Sequence, residues 1–376
     1  MKKLFFLISI PALWILLFTS CKKDVASPNK GTLTKEENST ESNRRKHIII
    51  VHRDHSIQAA VDAADQGYII KIERGVYKEA IHIDKPGIQL VGADDHVVIQ
   101  NPGDEENGVT VSENGDGFIL KNVTIRDFEK NGLFMIRVDN FLLSHVTTIN
   151  NGEYGLFPLF CTNGVVEHCS ATGHSDTGIY IGQSSQIELK FNRAFANVNG
   201  LEIENCSNVV ATKNLSYNNV AGILVVLLPG LTTKSSSQIT ISHNYVYNNN
   251  HINFAEAGGG FEAFVPSGSG ILVVGTDQTT VEHNIVAGNN FVGIATVSTV
   301  ILGSLAGLPP EAFADIEPNP DGTSVTSNVL RLNGSAPPAG IPLPGVDILW
   351  DGSGTNNCWK NNNYNSSFPA SLPVCN

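Results

Sequence analysis

A repeat of about 23 residues constrains the fold of this chain more than any other feature. Repeats of this length are typical of solenoids, in which each repeat buries its apolar face against the next one. The repeat begins with a glycine followed by alternating apolar residues. These glycines are Gly108, Gly132, Gly155, Gly178, Gly200, Gly222, Gly270 and Gly293, with gaps of 24, 23, 23, 22, 22, 48 and 23 residues.

Apolar residues alternate with period two after each glycine, as in Ile179 and Ile181 or Leu201 and Ile203. This alternation predicts a strand with one buried face, and a second strand follows at a fixed offset in most repeats. The spacing of three and four residues that indicates helical repeats is not found, which excludes an α-solenoid. The predicted fold is an all-β, single-stranded parallel β-helix. A short helix at residues 56–64 is expected to cap its first coil.

The first residues have the pattern of a secretory signal. Two lysines precede an apolar run at residues 4–18, and small residues lead to Cys21. This arrangement is typical of a signal peptide, and the run is shorter than the ~20 residues of a membrane-spanning helix. Residues 17–21 resemble a lipobox, although Phe18 stands where leucine is commonest. We therefore predict a signal peptide at 1–20 and lipidation at Cys21; the alternative is an ordinary secretory signal with an incidental cysteine.

Residues 21–46 are predicted to be a lipid-anchored flexible tether, because they are rich in Lys, Ser, Asn, Thr and Glu and have few apolar residues. Residues 47–376 form the predicted β-helix domain, with insertions near 228–237, 251–268 and 299–320. A lipid anchor would place the protein in the cell envelope at the outer membrane, on either its periplasmic or its surface face. Cys358 and Cys375 could form a disulfide in this oxidising compartment.

The charge of the chain limits its partners. The formal net charge is −12 at pH 7, and the charged residues include 24 Lys and Arg against 36 Asp and Glu. Nucleic acids are excluded as partners, because phosphate backbones are bound by clustered basic side chains. A polyanionic glycan is disfavoured unless a local basic patch or a bound cation compensates.

Several segments resemble a known superfamily. The segment "SIQAAVDAADQGYIIKIERGVYKE" is similar to the first coil of pectin-lyase-like right-handed β-helix proteins, and "GIYIGQS", "GLEIENC", "AGILVV" and "VDILWDG" resemble a group of bacterial β-helix repeat lipoproteins. The resemblance covers about residues 48–376 and implies a right-handed parallel β-helix. It implies no single reaction, because this superfold includes lyases, hydrolases, epimerases, esterases and non-catalytic fibres.

The stacked coils are expected to present an acidic and aromatic surface on an exposed sheet. Aromatic rings beside carboxylates suit a sugar, which has apolar C–H faces and a polar rim. Glu202 and Glu204 point to one side with Cα atoms roughly 6.6 Å apart, which allows an acid and base pair. Gly182 is expected to leave a notch beside Glu204. The candidate catalytic residues are Glu202, Glu204, Tyr180 and Asp176, and the candidate substrate-binding residues are Phe157, Phe134, Gln183 and His174.

Three alternatives to this interpretation remain open. The phenylalanines could form a stacked ladder beneath a loop, and the glutamates could be solvated surface charges. A lyase acting on uronates needs cations, and Arg137 is the only basic residue on this surface. Ca²⁺ bound by Asp176, Glu202 or Glu204 could supply the missing charge, and Glu153 could contribute to such a site.

We therefore expect an envelope protein that binds or processes a carbohydrate polymer, with hydrolase chemistry preferred to lyase chemistry. The alternative is a non-catalytic scaffold that docks an envelope partner protein through outward apolar columns. These columns contain Leu224, Val226, Leu272 and Val274, and they would form an unusually large exposed patch. The insertions at 228–237 and 251–268 are expected to fold over them and to form one wall of a groove beside the glutamates.

Overall fold

The structure is a computed structural model that describes residues 47–94, 96–256, 258 and 260–376. The predicted signal peptide at 1–20, the lipidation site Cys21 and the tether at 21–46 lie outside the described residues. Residues 47–376 belong to a single compact unit. No helix within the described ranges is long and apolar enough to cross a membrane.

The chain forms short strands and few helices. The first strands are β1 Ile48–Val51, β2 Ile69–Ile72, β3 Gly75–Lys78, β4 Ile81–Ile83, β5 Gln89–Gly92, β6 Val97–Gln100, β7 Asn107–Val111, β8 Ile119–Arg126, β9 Asn131–Ile136 and β10 Leu142–Ile149. The middle strands are β11 Tyr154–Leu159, β12 Thr162–Glu167, β13 Ser170–Thr172, β14 Thr177–Gly182, β15 Ser185–Lys190, β16 Arg193–Phe195, β17 Asn199–Glu204, β18 Ser207–Thr212, β19 Leu215–Tyr217, β20 Ala221–Val226, β21 Ser237–Ser242 and β22 Tyr245–Tyr247. The last strands are β23 Ser269–Val274, β24 Thr280–Glu282, β25 Ile285–Ala287, β26 Val292–Val297, β27 Ser324–Thr326, β28 Val329–Arg331, β29 Val346–Trp350, β30 Cys358–Lys360 and β31 Ser367–Phe368. The helices are α1 Ile57–Ala63 and α2 Thr299–Leu305, with 3-10 turns at Phe261–Phe264 and Pro310–Phe313.

The predicted right-handed parallel β-helix is confirmed. Eleven strands pair in parallel in the order β4-β7-β9-β11-β14-β17-β20-β23-β26-β29-β31, and the other strands pair in parallel from coil to coil around the rest of the solenoid. The predicted register also holds, since Glu202 lies between Tyr180 and Leu224 on the adjacent strands. The repeated glycines are needed because the strands approach closely at this corner; a Cβ on Gly200 would lie 2.1 Å from Ser216 Oγ.

Asparagine ladders fix two of the turns. Each Nδ2 donates to the Oδ1 one coil further along, as from Asn192 to Asn214 at 3.0 Å and from Asn214 to Asn244 at 3.0 Å. The predicted column continues through Asn284 to Asn328 and Asn362. These bonds satisfy polar groups that would otherwise be buried without partners in the turns.

Both ends of the solenoid are closed. Helix α1 lies at the first coil, where Ser56 caps it by accepting a hydrogen bond from the Ala59 amide at 3.0 Å. At the other end, Cys358 and Cys375 form a disulfide with Cα atoms 4.7 Å apart.

Two apolar clusters stabilise the molecule. The larger one fills the interior of the solenoid along its whole length. The smaller one lies on the outside of the eleven-stranded sheet, where Leu228, Val265 and Leu302 from the insertions cover the outward side chains of β20, β23 and β26. We call those side chains the apolar half of the sheet; they are Leu224, Val226, Leu272, Val274, Ala295 and Val297. The expectation that insertions fold over this surface is confirmed for the segments after β20 and β22, and α2 also contributes.

Candidate functional site

The outward side chains of β11, β14 and β17 form what we call the acidic half of the sheet: Phe157, Leu159, Tyr180, Glu202 and Glu204. The register places Glu202 beside Tyr180 and Glu204 beside Gly182, as predicted. The expectation that this surface is exposed was wrong for Tyr180 and Glu202, whereas Phe157, Leu159 and Glu204 are half-buried. Tyr180 is only 4% exposed and Glu202 only 6% exposed.

The expected notch at Gly182 is filled by the ring of Tyr180. A Cβ on Gly182 would lie 2.0 Å from the Tyr180 hydroxyl oxygen, so only glycine leaves room for this ring. The hydroxyl then donates a hydrogen bond to Glu204 Oε1 at 2.7 Å. The missing side chain at Gly182 therefore serves the packing of Tyr180 and does not open a ligand pocket.

Glu202 and Asp176 are joined through one hydroxyl group. The Thr177 Oγ1 atom lies 3.0 Å from Asp176 Oδ1 and forms a short hydrogen bond with Glu202 Oε2. The Asn199 amide nitrogen lies 3.2 Å from the same Glu202 oxygen and 3.3 Å from Thr177 Oγ1. Because Asp176 and Thr177 are adjacent in the chain, the turn into β14 brings the Asp176 carboxyl to the mouth of this buried network.

A cavity of about 240 Å³ opens at Asp176. The solenoid contributes Glu153, Tyr154, Ser175 and Asp176 to its walls, and the insertion between β22 and β23 contributes Glu256, Gly260 and Glu262. Glu202, Glu204 and Tyr180 do not line the cavity, and Glu202 is connected to it through Thr177.

Sequence reasoning missed Tyr154, Glu256 and Glu262 as site residues. The signal for the two glutamates was present, because the insertion at 251–268 was expected to form a wall beside the acidic strands. Glu262 is held by its own loop, where its Oε1 accepts a hydrogen bond from the Gly260 amide at 2.6 Å. Tyr154 precedes Gly155 and so lies outside the alternating columns that follow each glycine.

Burial raises the pKa values of the clustered carboxyl groups. Desolvation, followed by the charge of Glu262, raises the pKa of Asp176 to about 8. Desolvation also raises the pKa of Glu204 to about 7, and desolvation together with the Asp176 charge raises the pKa of Glu202 well above its usual range. Glu153 shows a smaller rise in its pKa from partial burial. Uncharged forms are favoured because there is too little solvent to stabilise several neighbouring negative charges.

The aromatic side chains form a packed cluster next to the cavity. The Tyr154 ring stacks on Phe157 with centroids 4.3 Å apart, and Phe157 meets Tyr180 edge to face at 4.6 Å. Phe134 follows at 5.5 Å from Phe157. Phe134 and Phe157 are not cavity-lining residues, so this geometry agrees with the stacked ladder that the sequence analysis left open, while Tyr154 lines the cavity.

Two candidate substrate-binding residues have partners inside the protein. His174 is completely buried; its ring nitrogens lie 3.1 Å from Thr148 Oγ1 and 3.1 Å from the Asn151 carbonyl oxygen, and burial lowers its pKa to about 4. Gln183 Oε1 accepts a hydrogen bond from the Thr233 amide at 2.8 Å, which fastens the insertion after β20. Both ring nitrogens of His174 and the Oε1 atom of Gln183 therefore already have partners in the protein, and contact of either side chain with a substrate stays a prediction.

The sequence offers Asp176, Glu202 and Glu204 as ligands for Ca²⁺. Within the described ranges, three acidic side chains bring ligand atoms within 4.8 Å of one another at Asp277, Glu317 and Asp321. This group is separate from the cavity, and its carboxylates already accept hydrogen bonds from neighbouring amides. Asp176 and Glu202 are bridged by the Thr177 hydroxyl group, and the charge of Asp176 helps to raise the pKa of Glu202; a Ca²⁺ site at these carboxyl groups stays a prediction.

The comparisons with known proteins agree with the architecture. A family model described as "Right handed beta helix region" matches residues 107–228. The solved structure of the A-module of mannuronan C-5 epimerase AlgE6 from Azotobacter vinelandii is similar, at 15% identity over 83% of this chain and 92% of that chain with a TM-score of 0.61. The AlgE4 A-module from the same organism gives 17% identity, 82% and 90% coverage and a TM-score of 0.56.

An alginate lyase from Paenibacillus sp. str. FPU-7 is also similar, at 13% identity over 88% of this chain and 98% of that chain with a TM-score of 0.52. No curated protein sequence matches this chain. At these identities the likeness shows the fold alone. The residues matched by the family model include β11, β14 and β17, and they end before the insertion that carries Glu256 and Glu262. The described chain is a right-handed parallel β-helix.

Proposed function

We propose that this protein is a cell-envelope glycan hydrolase, anchored to the outer membrane through a lipid on Cys21, whose cleavage site is the cavity at Asp176. The observation that carries the proposal is the position of one buried carboxyl group, Asp176, on a cavity that also exposes the carboxylates of Glu256 and Glu262. A carboxyl group that keeps its proton near neutral pH, on a cavity lined by further carboxyl groups, is the arrangement of residues from which glycoside hydrolysis takes its acid and base.

Asp176 acts as the general acid in this proposal. Its pKa of about 8 means that it carries a proton at pH 7 and can donate it to the glycosidic oxygen as the C–O bond breaks. Glu262 acts as the general base, because the Gly260 amide fixes its carboxylate on the facing wall. A water molecule between them loses a proton to Glu262 and forms the new bond to the sugar carbon. Tyr154 supplies an aromatic ring at the cavity for the apolar side of the sugar.

The electrostatics favour a neutral or cationic glycan. None of the residues lining the cavity, all of which belong to the described ranges, is basic. Lys130 is close enough to lower the pKa of Glu153, but it is already paired with Glu106 at 2.9 Å. The similar epimerase and lyase structures are named for mannuronan and alginate, which are anionic polymers. Such a polymer would be repelled by this cavity unless Ca²⁺ bridged it to the carboxylates.

The alternative of a non-catalytic scaffold that docks a partner protein is no longer supported by exposed apolar columns. It required exposed apolar columns, whereas Leu224 is 3% exposed and Leu272 is 7% exposed beneath the insertions. No specific observation on the described residues now favours a docked envelope partner over a glycan.

The proposal is tested by incubating the full-length protein with neutral glycans, deacetylated amino-sugar glycans and polyuronates, each with Ca²⁺ and with a chelator. Mass spectrometry of the products distinguishes the reactions. We expect products that have gained one water from a neutral or cationic glycan, with no loss of activity in the chelator. Unsaturated products from a polyuronate would show lyase chemistry, and the absence of any product across the panel would contradict the hydrolase.

A further inference from the structure

The Thr177 hydroxyl bridges Asp176 and Glu202, and its contacts cannot all be hydrogen bonds if both carboxyl groups are ionised. Thr177 has one hydroxyl hydrogen and two acceptor lone pairs. Its oxygen has three polar neighbours: Asp176 Oδ1, Glu202 Oε2 and Asn199 Nδ2. The Asn199 amide donates to one lone pair, and the hydroxyl hydrogen is donated to one carboxyl group. The second lone pair then faces the other carboxyl group.

That remaining contact is favourable only if the second carboxyl group is a donor. Two ionised groups would place a carboxylate oxygen against the hydroxyl lone pair in a site from which solvent is excluded, since Asp176 is 7% exposed and Thr177 is fully buried. One proton on the pair satisfies every contact, and it can be held at either end. If it is on Glu202, the chain of donors runs from Glu202 to Thr177 to Asp176; if it is on Asp176, the direction reverses.

We propose that Asp176 and Glu202, once one of their two protons has been lost, share the other through the Thr177 hydroxyl, and that Glu202 is a buried proton reserve for the cavity-lining carboxyl. Glu202 touches no substrate and is therefore a positioning residue. The use of the reserve during turnover rests on the proposed function, whereas the sharing itself does not.

Other ionisable groups surround this unit on three sides. Tyr154 on β11 forms a hydrogen bond with Asp176, and Tyr180 on β14 lies beside Glu202 in the sheet. Glu204 on β17 and Glu262 on the insertion act on both carboxyl groups through their negative charges. On the fourth side Leu224 of β20 is apolar. The neighbouring carboxylates disfavour full ionisation, so a pair that has lost one proton keeps the other.

The proton balance during glycan cleavage follows from this chain of hydrogen bonds through Glu202, Thr177 and Asp176. At the start both carboxyl groups are protonated. Asp176 donates its proton to the leaving oxygen, which takes the electron pair of the broken C–O bond, and the pair keeps the one proton on Glu202. Glu202 then passes its proton to Thr177 Oγ1 while the Thr177 hydrogen moves to Asp176. The acid is restored for the next event without waiting for a proton from solvent, and Glu202 is reprotonated afterwards through the same chain in reverse once the base has released its proton.

Infrared titration of the full-length protein without substrate tests the sharing directly. The carboxyl C=O band reports protonated groups, and subtraction of spectra from Glu204→Gln identifies the contribution of Glu204. Two interacting groups that share a proton titrate with two midpoints more than about one pH unit apart. We expect Glu202→Gln and Asp176→Asn each to replace both midpoints by a single one lying between them. Independent groups would instead leave one of the original midpoints in place, which would overturn the proposal.

The hydroxyl is tested by Thr177→Val, which keeps the shape, against Thr177→Ser, which keeps the donor. Loss of one hydrogen bond to a charged group should bring the two midpoints closer by about one pH unit in Thr177→Val. Thr177→Ser should preserve their separation. Thr296→Val is the matched control, because Thr296 is fully buried in the same sheet and its hydroxyl has no partner among the described residues. If the two titration midpoints are equally far apart in Thr177→Val and Thr177→Ser, the hydroxyl does not transmit the proton between Asp176 and Glu202.

These outcomes are separable from those of the proposed function. Absence of glycan turnover would leave the two midpoints and their response to the variants unchanged. If glycan is cleaved but Asp176 and Glu202 titrate independently, the shared proton is overturned and the hydrolase proposal stands. If the hydrolase is active, Thr177→Val should narrow the pH range of kcat on its alkaline side, and Thr177→Ser should restore it.

Discussion

The acidic half and the apolar half of the eleven-stranded sheet are continuous, and yet they have opposite roles. Glu202 and Leu224 are direct neighbours on β17 and β20 with the same outward direction, and both are buried. Leu224 is covered by an apolar cluster that includes Leu228 and Val265. Glu202 is instead covered by polar groups and leads through Thr177 to a cavity. The difference shows that in this solenoid neighbouring outward side chains can be buried in two ways, under apolar insertions or among polar strand residues.

Introducing a carboxylate into the apolar half should have the largest effect on stability. Leu224→Glu introduces a charge where the surroundings offer only apolar contacts, and we expect a loss of about 3–5 kcal/mol in the free energy of unfolding. Val210→Glu is the control, since Val210 is an outward strand residue that is 38% exposed. It should change stability by less than about 0.5 kcal/mol. Similar losses in both variants, measured by urea unfolding, would show that the covering cluster does not seal the apolar half.

The acidic half should make the protein less stable as the pH rises. Asp176 has a pKa of 3.8 in the unfolded chain and about 8 in the folded one, so only the folded state keeps this proton between those values. Unfolding then releases a proton, and the free energy of unfolding falls with increasing pH by several kcal/mol, on the order of 2–5, between pH 4 and 8. Thermal unfolding at pH 5 and pH 8.5 checks this. A melting temperature that rises over this range would contradict the raised pKa.

Removal of one buried acid should lessen the fall in stability with increasing pH. Glu202→Gln keeps an oxygen acceptor near Thr177 and Asn199 but removes a buried carboxyl group whose own pKa is raised well above its usual range. We expect this variant to be more stable than the wild type at pH 8 by about 1–3 kcal/mol and to differ little at pH 5. Glu113→Gln, at an exposed loop position, should show no such difference. If the free energy of unfolding depends on pH in the same way in Glu202→Gln and in the wild type, Glu202 does not contribute to the charge of the site.

Tyr180→Phe should have a smaller and more local effect. The hydroxyl donates to Glu204 and thereby lowers its pKa against the effect of burial. Its loss should raise the pKa of Glu204 by about one further unit, which corresponds to one hydrogen bond to a carboxylate. The infrared titration of Glu204 measures this shift, and Tyr245→Phe, at a ring that is 44% exposed, is the control. An unchanged midpoint in Tyr180→Phe would show that the hydroxyl does not hold Glu204.

The solenoid and its register could be predicted from the sequence because they depend on local periodicity. The glycine positions, the alternation in each strand and the column from Asn192 to Asn284 are all visible along the chain. The same regularity correctly paired Tyr180 with Glu202 and Gly182 with Glu204. Repetition makes each coil evidence for the next one, which is why a single sequence was enough for the fold.

The depth and the exact members of the site could not be predicted in this way. Exposure of Glu202 depends on where the insertions fold, and they have no repeat. The notch at Gly182 was a sound reading of one column, but the Tyr180 side chain leans along the strand into the space and removes the notch. His174 was judged by its turn position, although its ring points into the interior and binds Thr148.

The central claim is that Asp176 donates a proton to a glycan in the cavity while water attacks, and product analysis in ¹⁸O-labelled water tests it most directly. The wild-type protein should produce fragments with one ¹⁸O atom at the new reducing end. Asp176→Asn should reduce their rate of formation by about 10²–10⁴-fold, the range for loss of a general acid, and the exposed Asp104→Asn should leave it unchanged. Equal rates in Asp176→Asn and the wild type, or fragments without ¹⁸O, would contradict the account.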